Sequence, residues 1–467
     1  METETDVQAR DVADRRGPAV DVLYLACHGS EPTRPPSRHV VADVDVVSFG
    51  RGTPSLSREY KDGLRQLVIR WPDPLMSSSH GRLVRARGSW LIDDPDSKNA
   101  VVVGGARTRS SKVSIGQLIS IGNTILFLAR EDRREPLDIA ASELPAPRRE
   151  LATFDAWFGG DLDRMARLAT EPVPMLVLGE TGTGKELVAR AIHELSGRSG
   201  PFVAVNCAAI AATLLEAELF GHRRAAFSGA VADRLGHIRT SDRGTLFLDE
   251  VAELSPQAQA ALLRVLQQRE VVPVGDTLPI AVDLRVVAAT NGDLGALVAA
   301  GKFRDDLYAR IAGFTLTLPP LRARRADLGL VISALLRRRP NPERIKLTWQ
   351  AASQLFRYTW PRNIRELERV LETAAALACS EPITIDHLPD AIRAAADPSP
   401  VPAAIPVAAD QPAEPVAPED RELQHQLEAL LRAHGDNVAE VARALGKDRT
   451  QVYRWMRRFG LRRDGSP

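Results

Sequence analysis

The sequence predicts a multidomain chain: a β-sandwich, then an α/β domain on a parallel sheet with a helical lid, then an all-α helix-turn-helix. Three observations predict it. First, between about residues 20 and 130, short apolar runs such as "VVSFGRG", "RQLVIRW", "GSWLIDD", "NAVVVGG" and "TILFLA" alternate with Gly, Pro and Ser. That is the pattern of short strands in a sandwich. Second, from residue 151 the apolar runs "MLVLG", "FVAVN", "TLFLD" and "LRVVAAT" read as buried parallel strands. Between them, "KELVARAIHELS" and "PQAQAALLRVLQQ" carry helical periodicity. Third, the stretch Asp397 to Glu419 holds seven prolines and precedes a helical, basic tail.

Taken in order, residues 1–19 are polar and expected to be disordered, and 20–130 form the sandwich. A charged linker, "AREDRREP" at its core, spans 131–150. The α/β part covers 151–320 and its helical lid 321–395, beginning near "RRADLGLVISALLRRR". A Pro/Ala-rich linker covers 396–419, and 420–467 is the helix-turn-helix. At roughly 100–200 residues per domain, a chain of 467 residues should hold two to four domains. Its formal net charge of +1 selects no partner, so local charge has to. The three cysteines, Cys27, Cys207 and Cys379, are few and widely spaced. They argue against a disulfide framework and for a reducing cytosol. The nine histidines show no metal-ligand spacing. No signal peptide and no apolar run of ~18 residues is present, so a cytoplasmic location is expected.

"MLVLGETGTGKELVARAIHEL" carries the strongest chemistry. A strand runs into the loop Gly179, Glu180, Thr181, Gly182, Thr183, Gly184 and then a helix. The glycines let backbone N–H groups wrap a polyphosphate, and Lys185 reaches its outer phosphates. The general pattern ends in Ser or Thr, whereas Glu186 stands here, so metal binding must use other groups. "GTLFLDEV" places Asp249 and Glu250 at a strand end. The first carboxylate suits Mg²⁺ and the second suits polarising a water. Thr290 and Asn291 end a further strand, either as γ-phosphate sensors or as a capping pair. Arg304 and Arg310 either stabilise phosphoryl-transfer charge or form a solvated helix face.

Together with "PFVAVNCAAI", "ELFGH", "FRDDLYARI", "LPPLRAR" and "WPRNIRELERV", these residues resemble the AAA+ domain of bacterial enhancer-binding proteins. Those are the ATPases that activate sigma-54 RNA polymerase. The resemblance covers about residues 151–392 and includes the Glu186 position. It implies ATP and Mg²⁺ as cofactors, with Asp249 holding the metal and Glu250 orienting the water. It makes Asn206 the switch that restrains Glu250, Thr290 and Asn291 the first sensor, and Arg365 the second. Arg304 and Arg310 would act on a neighbour's ATP, which implies self-association into a hexameric ring. Arg362 stands at a turn where the family has Gly.

In the same family the loop at Ala225, Ala226, Phe227, Ser228, Gly229 and Ala230 reads GAFTGA and inserts into sigma-54; here it reads AAFSGA. Ser228 keeps the hydroxyl of Thr without its methyl. Ala225 gives up the easy access to positive φ that glycine has.

The anchors "FGRG", "SSSHGRL" and "DDPDSKNAVVVGG" resemble a forkhead-associated (FHA) domain, which binds phosphothreonine peptides. The resemblance implies a phosphate site at Arg51, Ser77 and Asn99, with His80 structural. Ser78 stands where the family has Arg, Ala100 where it has Gly, and the segment from Arg51 to Ser77 is long. The phosphothreonine partner would be a Ser/Thr kinase or its substrate. The tail "VAEVARALGKDRTQVYRWMRRFG" fits a helix-turn-helix with Gly446 in the turn. From Arg443 to Arg463 it has eight Lys/Arg and one acid, Asp448, a footprint for double-stranded DNA. Thr450, Gln451 and Arg454 are candidates for base edges, and Arg457 and Arg458 for phosphates. The tail resembles Fis-type domains, which bind palindromes as dimers.

The expected function is an ATP-hydrolysing regulator that binds upstream DNA and remodels closed sigma-54 polymerase complexes. A phosphothreonine-sensing domain would control it. The altered loop leaves a sigma-54-independent, nucleotide-switched regulator as the alternative. A non-catalytic phosphopeptide adaptor on DNA is disfavoured by Lys185, Asp249, Glu250, Arg304 and Arg310.

Overall fold

A computed structural model describes residues 19–395, apart from 87, 133–137, 141–142, 145–150 and 227–229, together with Leu430, Val441 and Ala444. Thirteen strands build the N-terminal sandwich. They are β1 (Ala19–His28), β2 (Ser37–Val40), β3 (Val46–Arg51), β4 (Ser55–Lys61), β5 (Leu64–Trp71), β6 (Arg82–Ala86) and β7 (Ser89–Asp93). They continue with β8 (Val101–Val103), β9 (Ala106–Thr108), β10 (Ser110–Val113), β11 (Leu118–Ile121), β12 (Thr124–Asp132) and β13 (Asp138–Ala140). One sheet runs β13-β2-β1-β12-β11-β8-β9 and the other β10-β7-β6-β3-β5-β4. Strand β13 lies within the stretch expected to be a linker and pairs with β2. The length between Arg51 and Ser77 is taken up by the hairpin β4–β5, which joins the second sheet through a parallel pairing of β5 with β3.

Strands β1, β11 and β12 are buried on both faces, which is why they read as nearly continuous apolar runs. Leu23, Leu25, Ile119, Ile121, Leu126 and Leu128 face the sandwich core. Val22, Tyr24, Ala26, Leu118, Ile125 and Phe127 face away from it, and belong to a second core completed by the lid. The sandwich is thus built into the same unit as the α/β part and its lid.

That unit begins with α1 (Ala156–Leu168), capped by Asp155, whose carboxylate accepts from the Phe158 N–H. Then come β14 (Met175–Leu178), α2 (Lys185–Leu195), β15 (Phe202–Asn206), α3 (Ala212–Phe220), α4 (Gly236–Thr240) and β16 (Thr245–Asp249). Helix α5 (Pro256–Gln268) follows, with the small ladder β17 (Glu270–Val271) and β18 (Ile280–Ala281). The run closes with β19 (Arg285–Thr290), α6 (Leu294–Ala299), α7 (Asp305–Ile311) and β20 (Phe314–Thr317). The sheet is parallel, in the order β15-β16-β19-β14-β20. Its carboxyl edge is where doubly wound α/β sheets bind ligands.

The lid is α8 (Leu328–Arg337), α9 (Trp349–Arg357), α10 (Asn363–Ala378) and the short α11 (Asp390–Arg393). Helix α8 lies backbone-to-backbone on β1: a methyl on Gly329 would sit 1.9 Å from the Ala26 carbonyl oxygen. The Leu347 N–H donates to the Gly29 carbonyl at 2.7 Å, and the Trp349 N–H to Asn123 Oδ1 at 3.2 Å. Arg325 donates to the Gly116 carbonyl at 2.8 Å and lies 5.7 Å from the Phe127 ring centroid. Between sandwich and lid the chain is fixed by Asp327, which accepts from Thr153 Oγ1 at 2.6 Å and from the Phe154 N–H at 2.7 Å. Burial raises the Asp327 carboxyl to about 6. Among the described residues no helix is long and apolar enough to cross a membrane.

Candidate functional site

Four strands bring their carboxyl ends to one edge. Leu178 pairs with Thr290 and Asn206 with Asp249, so the phosphate loop, both carboxylates and the sensor candidates start from neighbouring strands. The loop closes on Thr183, whose hydroxyl donates to the Glu180 carbonyl at 2.7 Å. Helix α2 then starts at Lys185 after its N-cap Gly184, so its first N–H groups face the loop. Lys185 is 7 % exposed. Its ammonium donates to the Gly179 carbonyl at 2.9 Å and to Glu250 Oε1 at 3.2 Å. The other Glu250 oxygen accepts from the Asn291 N–H at 3.1 Å and from Thr290 Oγ1 at 3.4 Å. Asn291 Nδ2 donates to Thr181 Oγ1 at 3.2 Å. Lys185, Glu250, Thr290 and Asn291 therefore form one connected network.

Asp249 is half-buried, and its carboxylate accepts from the Glu250 N–H at 3.2 Å. Burial raises its carboxyl above the usual range, and nearby Lys185 offsets part of that. A half-desolvated carboxylate beside a phosphate loop fits Mg²⁺, which binds through one or two carboxylates plus phosphate oxygens. Glu186 is turned to the surface and pairs with Arg190 at 2.6 Å. The Asn206 carboxamide accepts from the Ala208 and Ala209 N–H groups at 3.0 and 3.1 Å, and no hydrogen bond joins it to Glu250.

The lid closes directly on this loop, in part through Arg322, Asn363 and Ile364, to which the sequence motifs gave no role. Gly182 has φ +81°, and a methyl there would lie 2.4 Å from the Arg362 carbonyl oxygen. The Ile364 N–H donates to the Gly182 carbonyl at 2.9 Å. Asn363, fully buried, donates from Nδ2 to Glu180 Oε2 and to the Thr181 carbonyl, both at 3.1 Å. Its Oδ1 accepts from the Leu321 N–H at 2.8 Å. Arg322 pairs with Glu180 at 2.8 Å, and this guanidinium above all holds the Glu180 carboxyl down at about 2. Arg365 is exposed at the same edge, where a methyl on Gly182 would lie 3.2 Å from its Cβ. Arg362 has φ −107°, so the residue replacing glycine at this turn carries no left-handed strain.

Arg304 and Arg310 stand exposed at the two ends of α7. Arg304 pairs with Asp306 at 2.7 Å and Arg310 donates to the Leu266 carbonyl at 3.3 Å. Neither touches the phosphate loop of its own chain among the described residues.

The 222–230 loop leaves the same domain between α3 and α4. Arg223 bridges Asp276 at 2.6 Å and Asp233 at 2.8 Å, tying this loop to the neighbouring 273–279 loop. Ala225 has φ +65°, and its N–H donates to the Ala230 carbonyl at 2.8 Å. The base of the loop thus adopts the left-handed conformation that glycine favours. Ala226 packs on Gly275. Phe227, Ser228 and Gly229 lie outside the described residues.

In the sandwich, Arg51, Ser77 and Asn99 come together at one end. The Arg51 N–H donates to the Ser77 carbonyl at 2.8 Å, and the Lys98 N–H donates to Ser77 Oγ at 3.2 Å. Asn99 Nδ2 donates to the Leu75 carbonyl at 2.9 Å. His80 is fully buried and its Nδ1 accepts from the Ser77 N–H at 2.9 Å, which matches a structural role. Thr450, Gln451, Arg454, Arg457 and Arg458 lie outside the described residues.

Comparison with known proteins follows the same order along the chain. An FHA domain matches residues 43–122 and a Sigma-54 interaction domain residues 157–317. An AAA+ ATPase lid domain matches 322–404 and a homeodomain-like domain 420–467. The acetoin catabolism regulatory protein of Cupriavidus necator is 45 % identical over 335 residues, 69 % of this chain and 49 % of that protein. The Nif-specific regulatory protein of Azotobacter vinelandii is 43 % identical over 360 residues, 74 % of this chain and 66 % of that protein. The chain thus spans about half to two thirds of the length of these curated relatives. A crystal structure of NtrX from Brucella abortus in complex with ATP aligns at 29 % identity and a TM-score of 0.47, over 66 % of this chain and 69 % of that one. By the four domain matches, their order and the two relatives, the chain belongs to the AAA+ regulators that carry a sigma-54 interaction domain, here with an FHA domain before that core and a homeodomain-like domain after it.

Proposed function

We propose that the chain is an ATPase that drives transcription by remodelling sigma-54 RNA polymerase bound at a promoter. The observation that supports this most is the network at the carboxyl edge of the sheet, in which Lys185 and the Asn291 N–H hold the two oxygens of Glu250. With ATP bound, Lys185 would turn to the outer phosphates, leaving Glu250 to orient the attacking water. Mg²⁺, held by Asp249, would neutralise charge on the phosphates. Thr290 and Asn291 would report the γ-phosphate to Glu250, and Asn206 would restrain that carboxylate in another nucleotide state. Arg365 would reach the same nucleotide from the lid. Arg304 and Arg310, exposed and away from their own loop, suit the ATP of a neighbouring subunit in a hexameric ring.

The loop at Ala225–Ala230 would contact sigma-54, with Phe227 at its tip. Phosphothreonine binding at Arg51, Ser77 and Asn99 would act on the lid through the core the two share, and the lid in turn holds the phosphate loop. Residues Thr450 to Arg458 would fix the ring to upstream double-stranded DNA. The strained Ala225 favours one alternative, a regulator that uses nucleotide as a switch without sigma-54.

Steady-state ATP hydrolysis by the purified chain tests the assignment. Lys185→Ala and Glu250→Gln should each abolish turnover. Arg304→Ala and Arg310→Ala subunits should regain activity when mixed with Glu250→Gln subunits, because each then supplies what the other lacks. Arginine variants that stay inactive in every mixture would contradict action between subunits.

A further inference from the structure

A line of hydrogen bonds crosses the sandwich from the candidate phosphopeptide residues to the lid. It starts at Asn99, whose Nδ2 donates to the Leu75 carbonyl at 2.9 Å. The segment 73–77 that carries Leu75 also carries Ser77. Asp73, 2 % exposed, fixes that segment. One of its carboxylate oxygens accepts from the Leu75 N–H at 2.9 Å. The other accepts from the Asn123 N–H at 2.7 Å and from Thr124 Oγ1 at 3.2 Å. Gly122 makes room for this approach: it has φ +61°, and a methyl there would lie 2.8 Å from Asp73 Oδ2. Asn123 sits between β11 and β12, and its Oδ1 accepts from the Trp349 N–H at 3.2 Å. Trp349 is the first residue of α9, and the leading N–H groups of a helix have no partner within it. The sandwich thus caps a lid helix. Just past the far end of α9, Trp360 is buried and donates to the Leu355 carbonyl at 2.9 Å. Asn363 and Ile364 then reach Glu180, Thr181 and Gly182 of the phosphate loop.

Contiguous bonds transmit a signal only when a change of state at one end alters free energy at the other. Asp73 suits that task, because a carboxylate holds backbone N–H groups by strong, charge-assisted hydrogen bonds. A shift of the 73–77 segment therefore moves Asn123, and with it the cap of α9. We infer that Asp73 and Asn123 are positioning residues that carry the state of the phosphopeptide site to lid helix α9, and through it to the phosphate loop. The inference rests on the phosphopeptide reading above and names the residues by which that site regulates nucleotide binding. Trp71, buried and bonded to Thr124 Oγ1 at 2.8 Å, steadies the hydroxyl that also donates to Asp73.

The test is a coupling ratio on the full chain. The probe is the tightest-binding member of a peptide pool with a fixed central phosphothreonine, and its Kd is measured with and without a non-hydrolysable ATP analogue. Coupled sites alter one another's affinity by the same factor, and the parent chain should show a ratio of about fivefold or more. Asn123→Ala removes the partner of the Trp349 N–H but keeps the backbone N–H on Asp73. It should still bind the peptide, with the ratio reduced to about one. Asn123→Asp keeps an acceptor for the Trp349 N–H and should restore the ratio. In the parent chain the peptide should also slow hydrogen exchange of the Trp349 N–H, a readout that needs no variant. An undiminished ratio in Asn123→Ala, or no coupling in a parent chain that binds the peptide, would overturn the inference and leave the phosphopeptide site standing. Unchanged exchange at Trp349 would do the same, even if Asn123→Ala failed to fold. A parent chain that prefers no phosphorylated peptide over its unphosphorylated form would overturn both.

Discussion

Ala225 gives the sharpest test of how the altered loop behaves. Its φ of +65° is left-handed, at a cost of roughly 1–2 kcal/mol for a residue with a Cβ. Glycine removes that cost but gains more freedom in the open chain, which returns about 0.4–1 kcal/mol. Ala225→Gly should therefore stabilise the closed loop base by about 0.5–1 kcal/mol. The Ala225 N–H to Ala230 carbonyl bond of 2.8 Å reports that closure. Hydrogen exchange at residue 225 should slow roughly two- to fivefold once intrinsic rates are corrected. Ala225→Val should do the opposite, because a β-branched residue tolerates positive φ less. Neither variant should change ATP turnover, as no described residue of the loop is hydrogen-bonded or ion-paired to the phosphate loop. Faster exchange in the glycine variant, or a neutral valine variant, would refute a strained loop base.

Further predictions concern the lid, the loops and acid. Asn363→Ala leaves the buried Leu321 N–H and the Thr181 carbonyl without that partner, so ATP should bind about tenfold more weakly while the fold survives; isothermal titration would read this. Gly329→Ala forces a methyl onto the Ala26 carbonyl, and an overpacking cost of roughly 1–3 kcal/mol should split one urea transition of sandwich plus lid into two. Arg223→Ala frees Asp233 and Asp276 from one another, and protease cleavage within 222–233 should accelerate. His28 is buried, and desolvation with the Arg34 charge lowers its pKa to about 3. Its contribution is complete above about pH 6.5 and is lost as pH falls towards 3, because only the unfolded chain takes up the proton. The melting temperature should thus fall faster for the parent chain than for His28→Gln below pH 6.5, with a constant difference above pH 7.

Much of this molecule was legible as pattern. The phosphate loop, the Asp249–Glu250 strand end and the alternation of strands with helices follow from Gly spacing and from apolar runs interrupted by helical periodicity. The covered outer face of the sandwich left a trace too: "VLYLAC" and "TILFLA" are continuous rather than alternating, as strands buried on both faces must be. The identity of the covering element was not legible, because α8 and α9 come about 200 residues after β12 and about 300 after β1, and only the folded chain brings Gly329 to Ala26. Asn363 was equally silent, since its value lies in three long-range hydrogen bonds rather than in a motif. The β4–β5 hairpin showed only as excess length. Positive φ at Ala225 was a condition the sequence posed and the backbone met.

The central claim is that ATP hydrolysis at this sheet edge acts on sigma-54 polymerase through the 225–230 loop. Promoter opening by purified chain, sigma-54 polymerase and hydrolysable ATP, followed by single-strand-specific probing of the start site, measures it directly. Open complexes should form with the parent chain, increase when Ala225→Gly and Ser228→Thr are combined, and vanish with Lys185→Ala. Vigorous ATP hydrolysis with no promoter opening from either loop version would contradict the claim and leave the loop serving a different target.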